Sequence, residues 1–454
     1  MDAIDELARA LPSEVLVTDP DIMRSYCRDR AALVGAGTPV AVARPTSTEQ
    51  VSEIMRWATR HRVIVVPRGA GTGLSGGANA IDGCLVISLE AMTRIREIDR
   101  ADQVAVAEAG VINADLGRAV REQGLFYPPD PGSFEISTIG GNIATNAGGM
   151  RCVKYGVTRD SVQQLEVVLA DGRIMQTGAR TIKNVAGLDL TSLFIGSEGT
   201  LGVITAATVR LRPAPATPPA VIVASFPTLP AAGDAVATIA ATAAIPSMLE
   251  LIDHETINLI EDYRRMDLDR DAAALLIGQA DGEDALAEAR RIAGLCEAAG
   301  ADYVVCTQDP AEADALIAAR RLAGSAMLDS GPTVIEDVGV SRSKLGAMLT
   351  RIQQISRDEK IRIATVGHAG DGNLHPTLLL PDTEPATIQH ALAVAESICR
   401  AALAYGGTVT GEHGVGVLKR DWLAAQLGDT VLDVHRRIKD ALDPLGLLNP
   451  GRAW

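Results

Sequence analysis

Three glycine-bearing segments constrain this chain more than any other feature. The first is Pro67-Arg-Gly-Ala-Gly-Thr-Gly-Leu-Ser-Gly-Gly-Ala78, directly after an apolar β run at Val63–Val66. Seven of its twelve residues are glycine or alanine, so its backbone can approach a ligand closely. Gly71, Gly73 and Gly76 make a formal G-x-G-x-x-G. A dinucleotide-binding βαβ unit also needs a helix opening on that loop, and here Asn79–Gly83 continues as loop. What remains is a nest of backbone amides able to wrap a pyrophosphate, with the Thr72 and Ser75 hydroxyls as further donors. The second segment is Pro128-Pro-Asp-Pro-Gly-Ser133 followed by Ser137-Thr-Ile-Gly-Gly-Asn-Ile-Ala-Thr-Asn-Ala-Gly-Gly149. The third is Gly196-Ser-Glu-Gly-Thr-Leu-Gly-Val-Ile204.

Composition narrows the partners. Only 3% of the 454 residues are aromatic while 43 are glycine, which favours recognition by backbone amides over aromatic cages. A formal charge of -15 with no basic stripe argues against nucleic acid, because such a surface forfeits counterion release. Cys27, Cys84, Cys152, Cys296, Cys306 and Cys399 are scattered with no Cys-x-x-Cys pair, as in reduced thiols buried as small apolar residues. The acidic, amphipathic start is unlike a secretory signal, and no window approaches 18 uninterrupted apolar residues. The expectation is a cytoplasmic protein without a transmembrane segment, peripheral to a membrane only through an electron-acceptor partner.

Four stretches follow one another. Residues 1–37 read as a helical segment. Residues 38–213 carry short β runs (Val63–Val66, Leu85–Leu89, Val104–Glu108, Leu165–Leu169, Val203–Leu211) and a helix at Glu49–His61. Four prolines in the eight residues Arg212–Pro219 exclude regular structure and mark a boundary. Residues 214–410 alternate strands (Val221–Phe226, Met248–Ile252, Ala274–Gln279, Tyr303–Thr307, Ile361–Gly367) with helices (Ala231–Ala244, Glu255–Tyr263, Glu283–Ala299, Ala311–Leu322, Ser343–Asp358), an α+β layer of the split βαβ kind. Residues 411–454 form a closing segment.

Two short segments concentrate acid–base and ligand chemistry: Gly367-His-Ala-Gly-Asp-Gly-Asn-Leu-His-Pro376 and Gly411-Glu-His-Gly-Val-Gly416. His368 and His375 converge if the glycine turn between them folds back, and Glu412 then offers an oxygen. Two imidazoles and one carboxylate suit Zn2+ or Mn2+ with open positions for substrate. His413 would point elsewhere and carry a proton, since an unperturbed imidazole titrates near pH ~6.5. The plain alternative is a pair of satisfied turn histidines and a surface glutamate. His61, His254, His390 and His435 fall on expected helices or their ends and read as structural.

Taken together and in order, the three glycine segments resemble the FAD-binding domain of the vanillyl-alcohol oxidase / p-cresol methylhydroxylase superfamily. The histidine segments resemble the FAD-linked D-2-hydroxyacid dehydrogenases, of the D-lactate dehydrogenase and glycolate oxidase catalytic-subunit type. The fold this implies is α+β: a two-subdomain PCMH-type FAD-binding domain, a ferredoxin-like α+β cap, and a C-terminal helical segment that completes the active site. The resemblance implies that Pro67, Arg68, Gly69, Ala70, Gly71, Thr72, Gly73, Ser75 and Gly76 enclose the pyrophosphate. Thr138, Gly140, Gly141, Asn142, Ala144, Thr145, Gly148 and Gly149 would follow the ribityl chain and ring, and Glu198, Gly199, Gly202 and Ile204 the adenine side or ring edge. Pro131, Ser133, Tyr155 and Asn449 complete the implied FAD set. The first loop has no histidine for a covalent bond, so the flavin is expected to be non-covalent. Also implied are His368, His375 and Glu412 as ligands of a divalent metal (zinc, or manganese), His413 as base, and Arg320 as the anchor of the substrate carboxylate. Where hydroxyglutarate enzymes place a threonine and a lysine for the distal carboxylate, this chain has Gly324 and Ile335, which favours a shorter or more apolar acid. The reaction expected is oxidation of a small 2-hydroxy acid, with electrons passed to a quinone, a cytochrome or an electron-transfer flavoprotein. Three rivals stay open: an alkyl-glycerone-phosphate-synthase-like FAD transferase, a zinc hydrolase, and a non-catalytic FAD subunit.

Overall fold

The computed structural model describes residues 3–31 and 33–454, which divide into two compact units. The first comprises residues 1–148, 156–214 and 412–454, and the second residues 149–155 and 215–411. The division is therefore not a simple run along the chain. Residues 149–155 leave the glycine-rich sequence and belong with the second unit.

The first unit contains two main sheets. One is four-stranded, in spatial order Leu16–Val17, Ala41–Ala43, Leu85–Ser88, Val65–Arg68, with the last three strands parallel. Helix Thr48–His61 joins two of them. Ser47 caps its start by accepting from the Gln50 N–H, and Val51, Ile54, Met55, Trp57 and Ala58 form its buried stripe. The other sheet is antiparallel, in order Ile95–Asp99, Val104–Glu108, Val203–Arg210, Val162–Val168, Ile174–Gly178. Two buried or half-buried carboxylates stitch this unit together. Glu108 accepts from the Arg94 backbone and guanidinium and from Arg96, and Glu166 accepts from Thr48, Arg96 and Thr205. Arginine partners hold both carboxyls below the ordinary range against the opposing pull of burial.

The second unit is built on one antiparallel sheet in the order Tyr303–Thr307, Ala220–Phe226, Ala274–Ala280, Met248–Asp253, Arg362–His368, Asn373–Leu379, Thr333–Ile335, with Val338–Gly339 also paired to Asn373–Leu379. Helices Leu229–Ala241, His254–Tyr263, Ala285–Ala298, Pro310–Asp329, Leu345–Glu359 and Pro385–Ala404 accompany it. Several begin on side-chain caps (Thr228, Asp253, Asp309), and three carry proline in the first turn, where no N–H is needed.

Some expectations need correction. The proline-rich boundary is not wholly irregular: Arg212–Pro213 pairs antiparallel with Leu125–Phe126. Asn373–Leu379 is a strand, so His375 is a sheet residue and not a turn residue. Helix Pro310–Asp329 runs past the expected end at Leu322. The second glycine segment is partly helical, over Ile139–Thr145. The helices expected around His390 and His435 run over Pro385–Ala404 and Arg420–Leu442, bounds that the sequence reading did not give.

Helices Leu229–Ala241 and Leu345–Glu359 pack through glycine. A Cβ on Gly233 would lie 2.5 Å from the Gly346 Cα. Gly233→Ala is therefore expected to destabilise the protein by about 1–3 kcal/mol through overpacking. Gly294→Ala, in a helix where a Cβ meets nothing within 4 Å, should instead stabilise by about 0.5–1 kcal/mol. Urea midpoints of the two variants moving in the same direction would contradict this packing.

Candidate active site

In the first unit the three glycine segments meet. A Cβ on Gly69 would sit 2.4 Å from the Thr138 Oγ1, one on Gly140 2.6 Å from the Ala109 Cβ, and one on Gly199 3.0 Å from the Pro67 ring. Glycine suits these points because atoms of a neighbouring segment already lie where a Cβ would be. Gly71 needs it twice over: its φ is +68°, and a Cβ would run into the Arg68 guanidinium. Thr138 caps helix Ile139–Thr145 by accepting from the Gly141 N–H, and Gly196 and Glu198 donate to the Ile143 and Ala144 carbonyls at 2.9 and 2.8 Å. Thr145 turns its hydroxyl inward to the Gly141 carbonyl.

The closing segment is woven into the same place. The buried Glu198 carboxylate accepts from the Val415 and Gly416 N–H groups at 2.7 and 2.8 Å. Burial pushes this carboxyl up to about 7, against those two donors and the nearby Arg452. Asn449 donates to the Gly77 and Glu198 carbonyls, and the Ser75 hydroxyl donates to the Gly414 carbonyl. Glu198 and Asn449 thus tie loops together with atoms a ligand cannot then use. Ile204 and Gly202 pack in the sheet core, with a Gly202 Cβ 2.6 Å from Val167. A Cβ on Gly148 would lie 2.4 Å from the Glu412 Oε2, which sets Glu412 over the end of the second glycine segment.

Whether these segments suit FAD can be judged from their polar atoms. Arg68 Nη1, Ser137 Oγ, Asn142 Nδ2, Ser197 Oγ and Asn449 Oδ1 are buried without a protein partner. Buried polar groups in native proteins are nearly always satisfied, and five such atoms on the converging segments fit a polar ligand among glycines. Tyr155, with Gly149, is grouped apart from the rest of the implied set. It belongs to the second unit, where its hydroxyl donates to Asp281 at 2.5 Å beside the Lys154–Asp281 ion pair.

The second unit holds the paired histidines. Strands Arg362–His368 and Asn373–Leu379 form a hairpin whose tight turn is Ala369–Gly372, and its register sets Val366 opposite His375. The two rings stand edge to face with centroids 5.1 Å apart. A carboxylate lies at the Nδ1 side of each: Glu250 Oε1 at 2.7 Å from His368, and Asp337 Oδ1 at 3.7 Å from His375. Imidazoles backed by carboxylates are the usual surroundings of histidine metal ligands, so the donor set fits a divalent metal. Asp337 is further fixed by the Asn373 amide, the Thr410 hydroxyl and the Gly411 N–H, the last residue before Glu412.

Glu250 is fully buried and also accepts from Arg320 Nε at 2.7 Å. Burial acts to raise its carboxyl, but the His368 and Arg320 charges and hydrogen bonds hold it below the ordinary range. Arg320 is accordingly no solvated helix charge, whereas its neighbour Arg321 is exposed. Sequence reasoning missed Glu250 and Asp337. The signal available for Glu250 was an acid in the middle of the apolar strand Met248–Asp253, every residue of which is buried. His413 does not turn away from its neighbour as expected, for its Nε2 lies 3.8 Å from the Glu412 Oε1.

Comparison with known proteins agrees with these features. Residues 39–178 match the FAD binding domain family and residues 217–453 match FAD linked oxidases, C-terminal domain. The chain is 44% identical to the glycolate oxidase subunit GlcD of Bacillus subtilis over 92% of its length and 89% of that protein. It is 34% identical to a D-lactate dehydrogenase of Anaerostipes hadrus over 99% of its length and 96% of that protein. Among solved structures, p-cresol methylhydroxylase with substrate bound aligns with a TM-score of 0.83 at 17% identity, over 99% of this chain and 96% of that one. An alkyldihydroxyacetonephosphate synthase aligns at 0.75 and 19%, over 99% and 84%, a likeness of fold alone.

The Asn449 tether gives a direct check on the first unit. Asn449→Ala removes the donor to two carbonyls and should cost about 1–3 kcal/mol in urea unfolding. A change under about 0.5 kcal/mol, typical of surface substitutions, would contradict the assignment. With the fold, the buried polar atoms and both sequence matches in agreement, the chain belongs to the FAD-linked oxidases and is an FAD-linked oxidoreductase.

Proposed function

We propose that this chain oxidises a small D-2-hydroxy acid, D-lactate or glycolate, to the 2-oxo acid. One observation carries the reading: an arginine suited to a carboxylate and an imidazole suited to a metal meet on the same buried Glu250. The names of its relatives, glycolate oxidase, D-lactate dehydrogenase and D-2-hydroxyglutarate dehydrogenase, support the substrate class. The positions that would greet a distal carboxylate speak for a short acid. Around Gly324 a Cβ meets nothing within 4 Å, and Ile335 offers neither charge nor hydroxyl.

Non-covalent FAD, when bound, would supply the acceptor for the α-hydrogen and its electron pair, and a divalent metal, zinc or manganese, would supply the charge that acidifies the substrate hydroxyl. Arg320 uses one of its five N–H groups on Glu250 and turns the others to the substrate carboxylate in a charge-assisted pair. His368, His375 and Glu412 would hold the metal, with the His368 ring oriented by Glu250. His413 takes the hydroxyl proton. A quinone, a cytochrome or an electron-transfer flavoprotein would take up the two electrons.

His413→Asn should keep the absorbance of bound FAD and reduce it about 10²–10⁴-fold more slowly with D-lactate or glycolate. Chelation of the metal should stop substrate-dependent reduction and be reversed by Zn2+ or Mn2+. Reduction at the wild-type rate in the variant would remove His413 from the mechanism.

A further inference from the structure

Among the described residues, Glu250 is placed to do something that neither ligand histidine nor arginine can do alone. Its carboxylate is fully buried in the middle of strand Met248–Asp253 and uses one oxygen on each of two partners: Oε1 on His368 Nδ1 and Oε2 on Arg320 Nε, both at 2.7 Å. Those partners come from different elements, the sheet strand Arg362–His368 and the helix Pro310–Asp329. The next strand residue but two, Asp253, caps helix His254–Tyr263 through Thr256, so the strand bearing Glu250 is itself anchored.

We propose that Glu250 is a positioning residue that sets the protonated nitrogen of His368 and the orientation of Arg320 together, and so fixes the span between metal and substrate carboxylate. The inference rests on the reading of His368 as a ligand and Arg320 as an anchor. Its logic is that of donors and acceptors. An ionised carboxylate only accepts, so His368 Nδ1 must carry its proton, and in the neutral ring Nε2 then holds the lone pair that a metal needs. The same carboxylate takes the Nε–H of Arg320, which aims the paired Nη groups away from Glu250. Loss of the carboxylate at Glu250 therefore disturbs both ends of the substrate's cradle.

Glu250→Gln tests this because glutamine has one accepting oxygen for two donors. Either His368 changes tautomer and presents Nε2–H, or Arg320 loses its hold. The expected result is a folded, FAD-bound variant with Zn2+ affinity down roughly 10–100-fold in chelator competition, or with KM for D-lactate and glycolate up about tenfold or more. Glu250→Asp, which keeps both acceptors, should recover part of the loss. A purely structural buried charge would lower the melting temperature and leave metal affinity and KM of the folded protein alone. Wild-type values for both in folded Glu250→Gln overturn the proposal.

If neither variant folds, the 15N shifts of the histidines in the metal-free wild type decide it, with His368 identified by its loss in His368→Gln. A protonated Nδ1 supports the proposal and a protonated Nε2 overturns it. Arg320→Ala and His368→Ala are the reference for the underlying reading. If the first leaves KM unchanged and the second leaves Zn2+ affinity unchanged, that reading fails, whatever the tautomer shows.

Discussion

Neighbouring atoms lying where a β-carbon would have to stand are the constraint on which the first unit depends. Gly69 against Thr138, Gly140 against Ala109 and Gly199 against Pro67 each bring two chain segments closer than any side chain allows. That proximity gathers the buried, unpartnered atoms of Arg68, Ser137, Asn142 and Ser197, a set with little value unless a polar ligand satisfies it. The tethers of the closing segment, Glu198 to Val415 and Gly416 and Asn449 to Gly77, hold the arrangement from the other end of the sequence. Close packing and an FAD-binding role are thus two sides of one steric requirement.

In the second unit the governing constraint is electrostatic. A carboxylate removed from water needs opposite charge or donors on both oxygens, and Glu250 has one of each partner. Asp337, equally buried, is saturated by Asn373, Thr410 and Gly411. The two acids frame the histidine hairpin: Glu250 holds the His368 ring by a hydrogen bond, and Asp337 lies 3.7 Å from His375 Nδ1. The rigid antiparallel sheet beneath supplies positions that loops alone would leave loose.

The two constraints were unequally legible in the sequence. A glycine demanded by sterics announces itself by residue type and spacing, so the three segments and their likeness to a flavin-binding superfamily could be read directly. The pairing of His368 with His375 was likewise visible, since a glycine turn of the right length separates them, although His375 proved to be a strand residue. Glu250 was not visible. It sits 118 positions from His368 and 70 from Arg320, and its meaning exists only after the sheet has formed. The grouping of residues 149–155 with the second unit, and the bond from the Tyr155 hydroxyl to Asp281, likewise had no local signal. The pairing of Arg212–Pro213 with Leu125–Phe126 was hidden by a sound local rule, proline density, that a single edge pairing does not violate.

The central claim is that the flavin held by these segments takes electrons from a 2-hydroxy acid. Anaerobic stopped-flow absorbance of the metal-replete protein, mixed in turn with D-lactate, glycolate, D-2-hydroxyglutarate and L-lactate, tests it most directly. The account predicts rapid bleaching of the oxidised flavin band by D-lactate or glycolate, with slower or no bleaching by D-2-hydroxyglutarate and L-lactate. A yellow, metal-replete protein that none of the four bleaches would contradict it.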